Sequence, residues 1–176
     1  MRGHGAWLWL PPLAAVAAYA PAQAVVYLTV EQAQKEMFGD EALTSLPLVL
    51  SAAQIAAIER DSGVKVASPI VRVWKAPSGY FFADAVIGKH DLIEYAVGLD
   101  ANGRVRGVEI LEYREAYGGE VRNAAWRAQF DGKRHGDALR LGEDIQGISG
   151  ATLSCQHLTD GIRRLLATYA VAIAPR

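Results

Sequence analysis

Several features that mark common classes of protein are scarce or missing here. The chain has one cysteine, Cys155, so no disulfide can form within it and a CxxCH haem site is excluded. A formal net charge of −1 lacks the basic excess of a general nucleic-acid binder, so no nucleic-acid partner is expected. The histidines show no metal-ligand spacing, and neither Gly-x-Ser-x-Gly nor Gly-x-Gly-x-x-Gly occurs. Metal, hydrolase-triad and direct dinucleotide chemistry therefore have no support in the sequence.

The length and composition fit a small folded protein. With 176 residues, of which 51% are hydrophobic, the chain can build one packed core, with room for a small extension. No internal repeat or low-complexity tract is present.

The first 24 residues resemble a targeting segment. Arg2 supplies positive charge, residues 6–20 are mostly apolar, and Ala22-Gln23-Ala24 has the small-x-small form of a signal-peptidase site. We therefore expect residues 1–24 to be a signal peptide and the protein to be exported, to the periplasm or another extracytoplasmic place, where it can associate with a membrane. The alternatives are an uncleaved anchor or a buried N-terminal helix.

The chain then changes from a helical to a strand pattern. Thr29 and Ser51, each followed three residues later by Gln, predict capping boxes and hence two helices in an N-terminal helical extension, residues 25–64. Period-two segments predict an antiparallel sheet of about four strands, starting near Ile70, Tyr80, Leu92 and Val105. A short helix over 123–130 and a long one over 154–171 follow. The order predicts an α+β domain over residues 65–176 with helices flanking the sheet.

A glycine-containing turn precedes the last helix. Gly147, Gly150 and Ala151 leave the backbone open just before Thr152, where free N–H groups at a helix start suit a phosphate. No Lys follows the glycines, so this is not a P-loop. The alternative is an ordinary turn with an N-cap, and Ser154 is the favoured capping residue.

Ser149-Gly150-Ala151-Thr152 resembles the flavinylation motif of FMN-binding domains, found in the C subunit of the sodium-translocating NADH:quinone reductase and the G subunit of the Rnf complex. The resemblance implies that FMN is the cofactor and that Thr152 carries it as a phosphoester made by a flavin transferase. The motif's acidic position falls on Gln146, which departs from the pattern; Asp144 lies two residues earlier.

Two further blocks extend the resemblance over roughly residues 65–170. Glu115 and Gly118 match a Glu-Thr-Pro-Gly-Leu-Gly segment, with Ala116, Tyr117 and Glu120 as departures. Phe130-Asp131-Gly132-Lys133 is similar to the family's Phe-x-Gly-Lys segment. The resemblance thus implies a cofactor-binding set and no catalytic residues of the chain's own. This set comprises Ser149, Gly150, Ala151, Thr152, Glu115, Gly118, Gly119 and Lys133. Tyr113, Tyr117 and Trp126 are candidates to stack near the flavin.

The function that the resemblance implies is electron transfer between a membrane redox protein and an extracytoplasmic acceptor. An electron carrier or a subunit of an oxidoreductase system fits better than a stand-alone enzyme, because no donor site is evident. Two alternatives stay open. One is a non-redox module that binds FMN or another phosphorylated ligand reversibly, and the other is an interaction domain without cofactor.

Overall fold

The computed structural model describes residues 25–115 and 118–174. These residues form an antiparallel sheet with helices on both faces, which confirms the predicted α+β class. The strands are β1 (Val25–Val26), β2 (Thr44–Val49), β3 (Ile70–Ala76), β4 (Gly79–Ile87), β5 (Leu92–Asp100) and β6 (Val105–Tyr113). The helices are α1 (Val30–Phe38), α2 (Ala52–Ser62), α3 (Ala124–Arg127) and α4 (Thr152–Ala172). The predicted signal peptide, residues 1–24, lies outside the described residues.

The sheet has the spatial order β1-β6-β5-β4-β3-β2, and all its pairings are antiparallel. The four predicted strands are confirmed as β3 to β6. Two further strands come from residues 25–64, where sequence reasoning predicted only helices. Strand β2 pairs with β3 and forms one edge, while the two-residue β1 pairs with β6 at the other edge.

Two helices begin where their capping boxes predicted. The Thr29 hydroxyl accepts the Gln32 N–H at 3.2 Å, and the Gln32 amide oxygen accepts the Thr29 N–H at 2.8 Å. Ser51 and Gln54 make the same reciprocal pair at the start of α2. Because each box satisfies two backbone donors, both helices start with few orphan N–H groups.

The two faces of the sheet carry separate apolar clusters. Phe38 of α1 packs edge-on to Phe81 on one face. On the other face the larger cluster includes Tyr95 and the apolar side of α4. Helix α2 packs on α4 through Ile58, which is fully buried with Ala167.

Strand β6 contributes to both clusters, and its register against β5 shifts twice. Shifts between Glu94 and Tyr95 and between Gly98 and Leu99 of β5 change which side of the sheet a β6 residue meets. As a result Tyr113 lies on the α4 side of the sheet, and Leu111 on the α1 side. Simple alternation along the sequence of this strand could therefore not predict which of its residues face α4.

Helix α4 is tied to distant parts of the chain by two arginines. Arg163 donates to the carbonyl of Ser62 at 2.8 Å. Arg164 donates to Asp84 at 2.6 Å and to the carbonyl of Lys65 at 3.1 Å. These contacts fix the helix across β4 and the end of α2, and so determine where its N-terminus lies.

Candidate functional site

Helix α4 begins at Thr152, two residues before the predicted start. Ala151 occupies the N-cap position with φ −117° and ψ 21°, and no side chain within residues 25–115 and 118–174 caps the helix there. The first N–H groups of a helix have no partner within the helix. This end of α4 therefore presents backbone donors and the positive end of the helix dipole.

The turn that leads into α4 is largely open to solvent. Ser149, Gly150 and Thr152 are exposed, whereas Ala151 is only 3% exposed. Gly150 has φ +85°, a left-handed conformation that favours glycine, and no atom of the described part of the chain lies within 4 Å of where its Cβ would be. The hydroxyl-bearing residue of the motif is thus accessible, while its neighbour Ala151 anchors the turn to the core.

Ser154 does not cap the helix, contrary to the sequence prediction. It lies in the first turn, is buried, and its hydroxyl is 3.0 Å from the Tyr113 hydroxyl. Burial raises the pKa of Tyr113, with the Ser154 hydrogen bond acting in the opposite direction. The pair connects the end of β6 with the start of α4, so Tyr113 is a buried structural residue at the edge of the site.

The structure brings the Gly118 loop and the Thr152 turn together. Gly118 is buried, with φ +87°, and a Cβ there would lie 3.1 Å from the Ser154 hydroxyl and 3.4 Å from the Ala151 Cβ. Only a glycine backbone allows this approach. Gly119 follows at the start of a 3₁₀ turn, and no described atom lies within 4 Å of where its Cβ would be. Two blocks that are about 30 residues apart in sequence thus form one surface, as phosphate and ribityl binding would require.

Glu115, also predicted at the site, uses its carboxylate within the protein. Its Oε1 accepts the N–H groups of His90, at 2.5 Å, and Asp91, at 3.0 Å. Burial alone would raise the pKa of Glu115, but these backbone hydrogen bonds outweigh burial and hold the pKa below its ordinary value. The side chain is an ionised clamp on the turn between β4 and β5.

Lys133 likewise forms an ion pair within the protein. Its ammonium group lies 2.8 Å from Asp144, whose carboxylate also accepts the N–H groups of Leu139 and Arg140. Burial opposes ionisation of Asp144, but the Lys133 and backbone hydrogen bonds together lower its pKa. The ion pair directs Lys133 to the 139–144 loop, and its role as a phosphate ligand stays a prediction.

The main chain of Gln146, at the motif's acidic position, is held from the α3 side. Its carbonyl accepts the Trp126 indole N–H at 2.7 Å, and its N–H donates to the Gln129 amide oxygen at 2.7 Å. Trp126 is buried and packs edge-on to Phe130, so it supports the loop from the core. The Gln146 side chain remains exposed, and Tyr117 lies outside the described residues.

Other chemistry finds little support among residues 25–115 and 118–174. No group of three or more His, Cys, Asp or Glu side chains there could hold a metal ion. Cys155 is fully buried, and burial raises the pKa of its thiol, so it is a poor nucleophile. Within these same ranges, no helix combines the length and apolar character needed to cross a membrane.

Sequence reasoning missed the contacts of one residue that follows the site on α4. His157, one turn beyond Ser154, has Nδ1 at 2.6 Å from the Ile87 carbonyl and 2.9 Å from the Gly88 carbonyl. Its sequence context gave no signal, because the partners are backbone atoms 69 and 70 residues away.

Comparison with known families agrees with this geometry. A family model described as the FMN-binding domain matches residues 88–167. The match spans the Glu115 and Gly118 loop, Lys133 and the turn that ends at Thr152. It therefore confirms the resemblance noted in the sequence. No curated protein is significantly similar to the chain.

Proposed function

Residues 88–167 belong to the FMN-binding domain family and FMN is the cofactor, and on this premise we propose that the protein is an exported electron-transfer flavoprotein with FMN attached to Thr152. FMN, when bound, supplies the ability to accept and donate one or two electrons, while the protein sets its position and potential. Electrons would pass between a membrane redox protein and an extracytoplasmic acceptor.

The observation that carries this proposal is the open start of α4. Thr152 is exposed at the first helical position, and among the described residues no side chain caps the N–H groups around it. A phosphate esterified to the Thr152 hydroxyl would lie next to these donors and at the positive end of the helix dipole. The left-handed Gly150 and the buried Ala151 fix the turn that presents this hydroxyl.

The attachment step needs a separate flavin transferase and a flavin donor with a phosphoanhydride bond. The bond from Thr152 Oγ to the flavin phosphate forms as the anhydride bond breaks. The hydroxyl proton goes to a base of the transferase, and the other phosphate of the donor leaves. No oxidation state changes in this step. Thr152 accepts the flavin phosphate and is not a catalyst.

Export rests on the N-terminal sequence. Positive charge at Arg2, the apolar run 6–20 and the Ala22-Gln23-Ala24 site together fit a signal peptide. The single cysteine is compatible with an oxidising compartment, since it cannot form a wrong disulfide within the chain.

The proposal is tested by intact mass of the denatured protein, isolated from its native compartment, followed by peptide mapping. We expect a gain of one FMN on the peptide that contains Thr152. Thr152→Val should remove all covalent flavin and change the free energy of unfolding by less than about 0.5 kcal/mol, because the side chain is exposed. Thr44→Val, at another exposed threonine, is the matched control and should keep the flavin.

Covalent flavin that persists in Thr152→Val would overturn the assignment of the attachment residue. Flavin that is present in the native protein but lost on denaturation would instead favour the reversible binding module. Gln146 stands where the motif has an acidic residue, and this departure is the observation that favours the reversible binding module.

A further inference from the structure

The turn between β4 and β5 is held from two sides by residues next to the flavin site. This turn, residues 87–91, is closed internally by a hydrogen bond from the Gly88 N–H to the Asp91 carbonyl at 2.8 Å. Glu115 accepts its N–H groups, and His157 lies against its carbonyls. We call Glu115, His157 and residues 87–91 the turn clamp.

On one side the clamp is a carboxylate. Glu115 Oε1 bonds two consecutive N–H groups, those of His90 and Asp91. Gly88 leaves room for it, since a Cβ at Gly88 would lie 2.6 Å from this oxygen. An ionised carboxylate is an acceptor only, and bonds from N–H groups to a charged acceptor are stronger than neutral ones.

On the other side the clamp is an imidazole. His157 Nδ1 faces two carbonyl oxygens, of Ile87 and Gly88, which can only accept. Nδ1 must therefore carry the proton and donate, which fixes the tautomer of the neutral ring.

Both clamp residues lie close in sequence to residues of the site. Glu115 lies three residues before Gly118, and His157 lies three residues after Ser154. Gly118 and Ser154 meet in turn, as the 3.1 Å between the Ser154 hydroxyl and a Cβ at Gly118 indicates. Glu115 and His157 thus meet through residues 87–91, and Gly118 and Ser154 meet directly, so the two parts of the chain that carry the site are joined at two places.

We propose that Glu115 and His157 are positioning residues, which hold the Gly118 loop against the start of α4 and so set the geometry of the flavin site. The contacts that hold the loop do not depend on the proposed function, whereas their effect on the flavin rests on it. Neither residue needs to touch the flavin, because each acts through the backbone of residues 87–91.

The primary test uses the protein without flavin, so it does not depend on the cofactor. Amide hydrogen exchange is measured in the wild type, Glu115→Gln and His157→Ala. Glu59→Gln is the matched control, because Glu59 also accepts a backbone N–H, that of Val66 at 3.0 Å, but on α2. His157→Asn is the conservative variant, since its amide N–H can replace the Nδ1 donor.

We expect exchange to rise roughly tenfold at residues 88–91 and also at 118–119 and 152–155 in both variants. Glu115→Gln weakens two bonds to a charged acceptor into neutral ones, and His157→Ala removes the Nδ1 donor. Glu59→Gln and His157→Asn should exchange at these sites as the wild type does. Faster exchange confined to residues 88–91 would overturn the proposal, because the clamp would then be local. If His157→Ala does not fold, His157→Gln takes its place, because its amide group corresponds in position to Nε2 and cannot replace the Nδ1 donor.

A second readout uses the flavin-loaded protein. Glu115→Gln should lower the flavinylated fraction and shift the midpoint potential, and the double variant with His157→Ala should be no worse than the poorer single variant. A shifted potential with unchanged exchange at 118–119 and 152–155 would indicate direct contact between Glu115 and the flavin, and would overturn the positioning role. A wild type that carries no flavin would refute the proposed function, whereas the exchange result would stand.

Discussion

The start of α4 differs from the starts of α1 and α2 in its backbone as well as in its side chains. Thr29 and Ser51 precede their helices in extended conformations, with ψ of 164° and 161°, and each accepts an N–H of the first turn. Ala151 has ψ 21° and no side-chain oxygen that could accept an N–H. In α1 and α2 a side chain of the capping box accepts an N–H group of the first turn. At the start of α4 no described side chain does so, and these donors are available to a ligand.

The starts of these helices are also held in place in two different ways. In α1 and α2 the capping boxes are local, joining residues three apart. At α4 the start is held by tertiary contacts instead, between Ser154 and Tyr113 and between Ala151 and Gly118. A site built this way keeps both a rigid position and free N–H groups.

The largest expected effect comes from breaking the tertiary contact. Gly118→Ala would place a Cβ 2.7 Å from the Tyr113 hydroxyl, at a φ of +87°. Overpacking together with the left-handed backbone should cost at least about 2 kcal/mol of unfolding free energy and lower the flavinylated fraction. Denaturant unfolding and intact mass measure the two quantities.

Gly119→Ala is the control for this variant, because a Cβ there meets no atom of the described residues within 4 Å. Equal loss of stability and flavin in both variants would show that the close approach of the Gly118 loop to α4 has no special role.

A smaller effect is expected in the turn itself. Gly150→Ala should cost about 1–2 kcal/mol for its left-handed backbone, and it should also reduce flavinylation because the turn presents Thr152. Gly63→Ala, at φ +70° after α2 and also in open space, should lose similar stability but keep its flavin. The two variants are compared by thermal unfolding and intact mass, and flavinylation that falls equally in both would mean that stability alone controls attachment.

The smallest effect is expected at a capped helix. Ser51→Ala removes the acceptor for the Gln54 N–H and should cost about 1 kcal/mol, with flavinylation unchanged. Denaturant unfolding with a flavin absorbance measurement tests both parts. Loss of flavin in this variant would mean that α2 and the site are coupled, and would weaken the contrast between the two kinds of helix start.

Local signals made most of the fold predictable. Both capping boxes and the four strands β3 to β6 were readable because their determinants lie within a few residues. Strand β2 was missed because Pro47 lies in its centre, where proline is tolerated only in edge strands or bulges. Strand β1 was missed because it has only two residues and adjoins the predicted cleavage site.

The site was predictable in part, and for a different reason. Thr152 and Gly118 were identified by resemblance to a family, and the structure places their two turns side by side. The bonding of Glu115 and Lys133 could not be foreseen, because their partners are set by tertiary contacts. The start of α4 was placed at Ser154 because a serine there has the composition of a cap, but the Tyr113 contact takes its hydroxyl.

The arginines of α4 have a consequence for the order in which the chain folds. Arg163 reaches a carbonyl 101 residues earlier in the chain, and Arg164 reaches one 99 residues earlier. Contacts of such separation form slowly compared with local ones, and both arginines lie on α4. The position of α4, and of the turn that carries Thr152, therefore depends on long-range contacts that local helix formation does not supply.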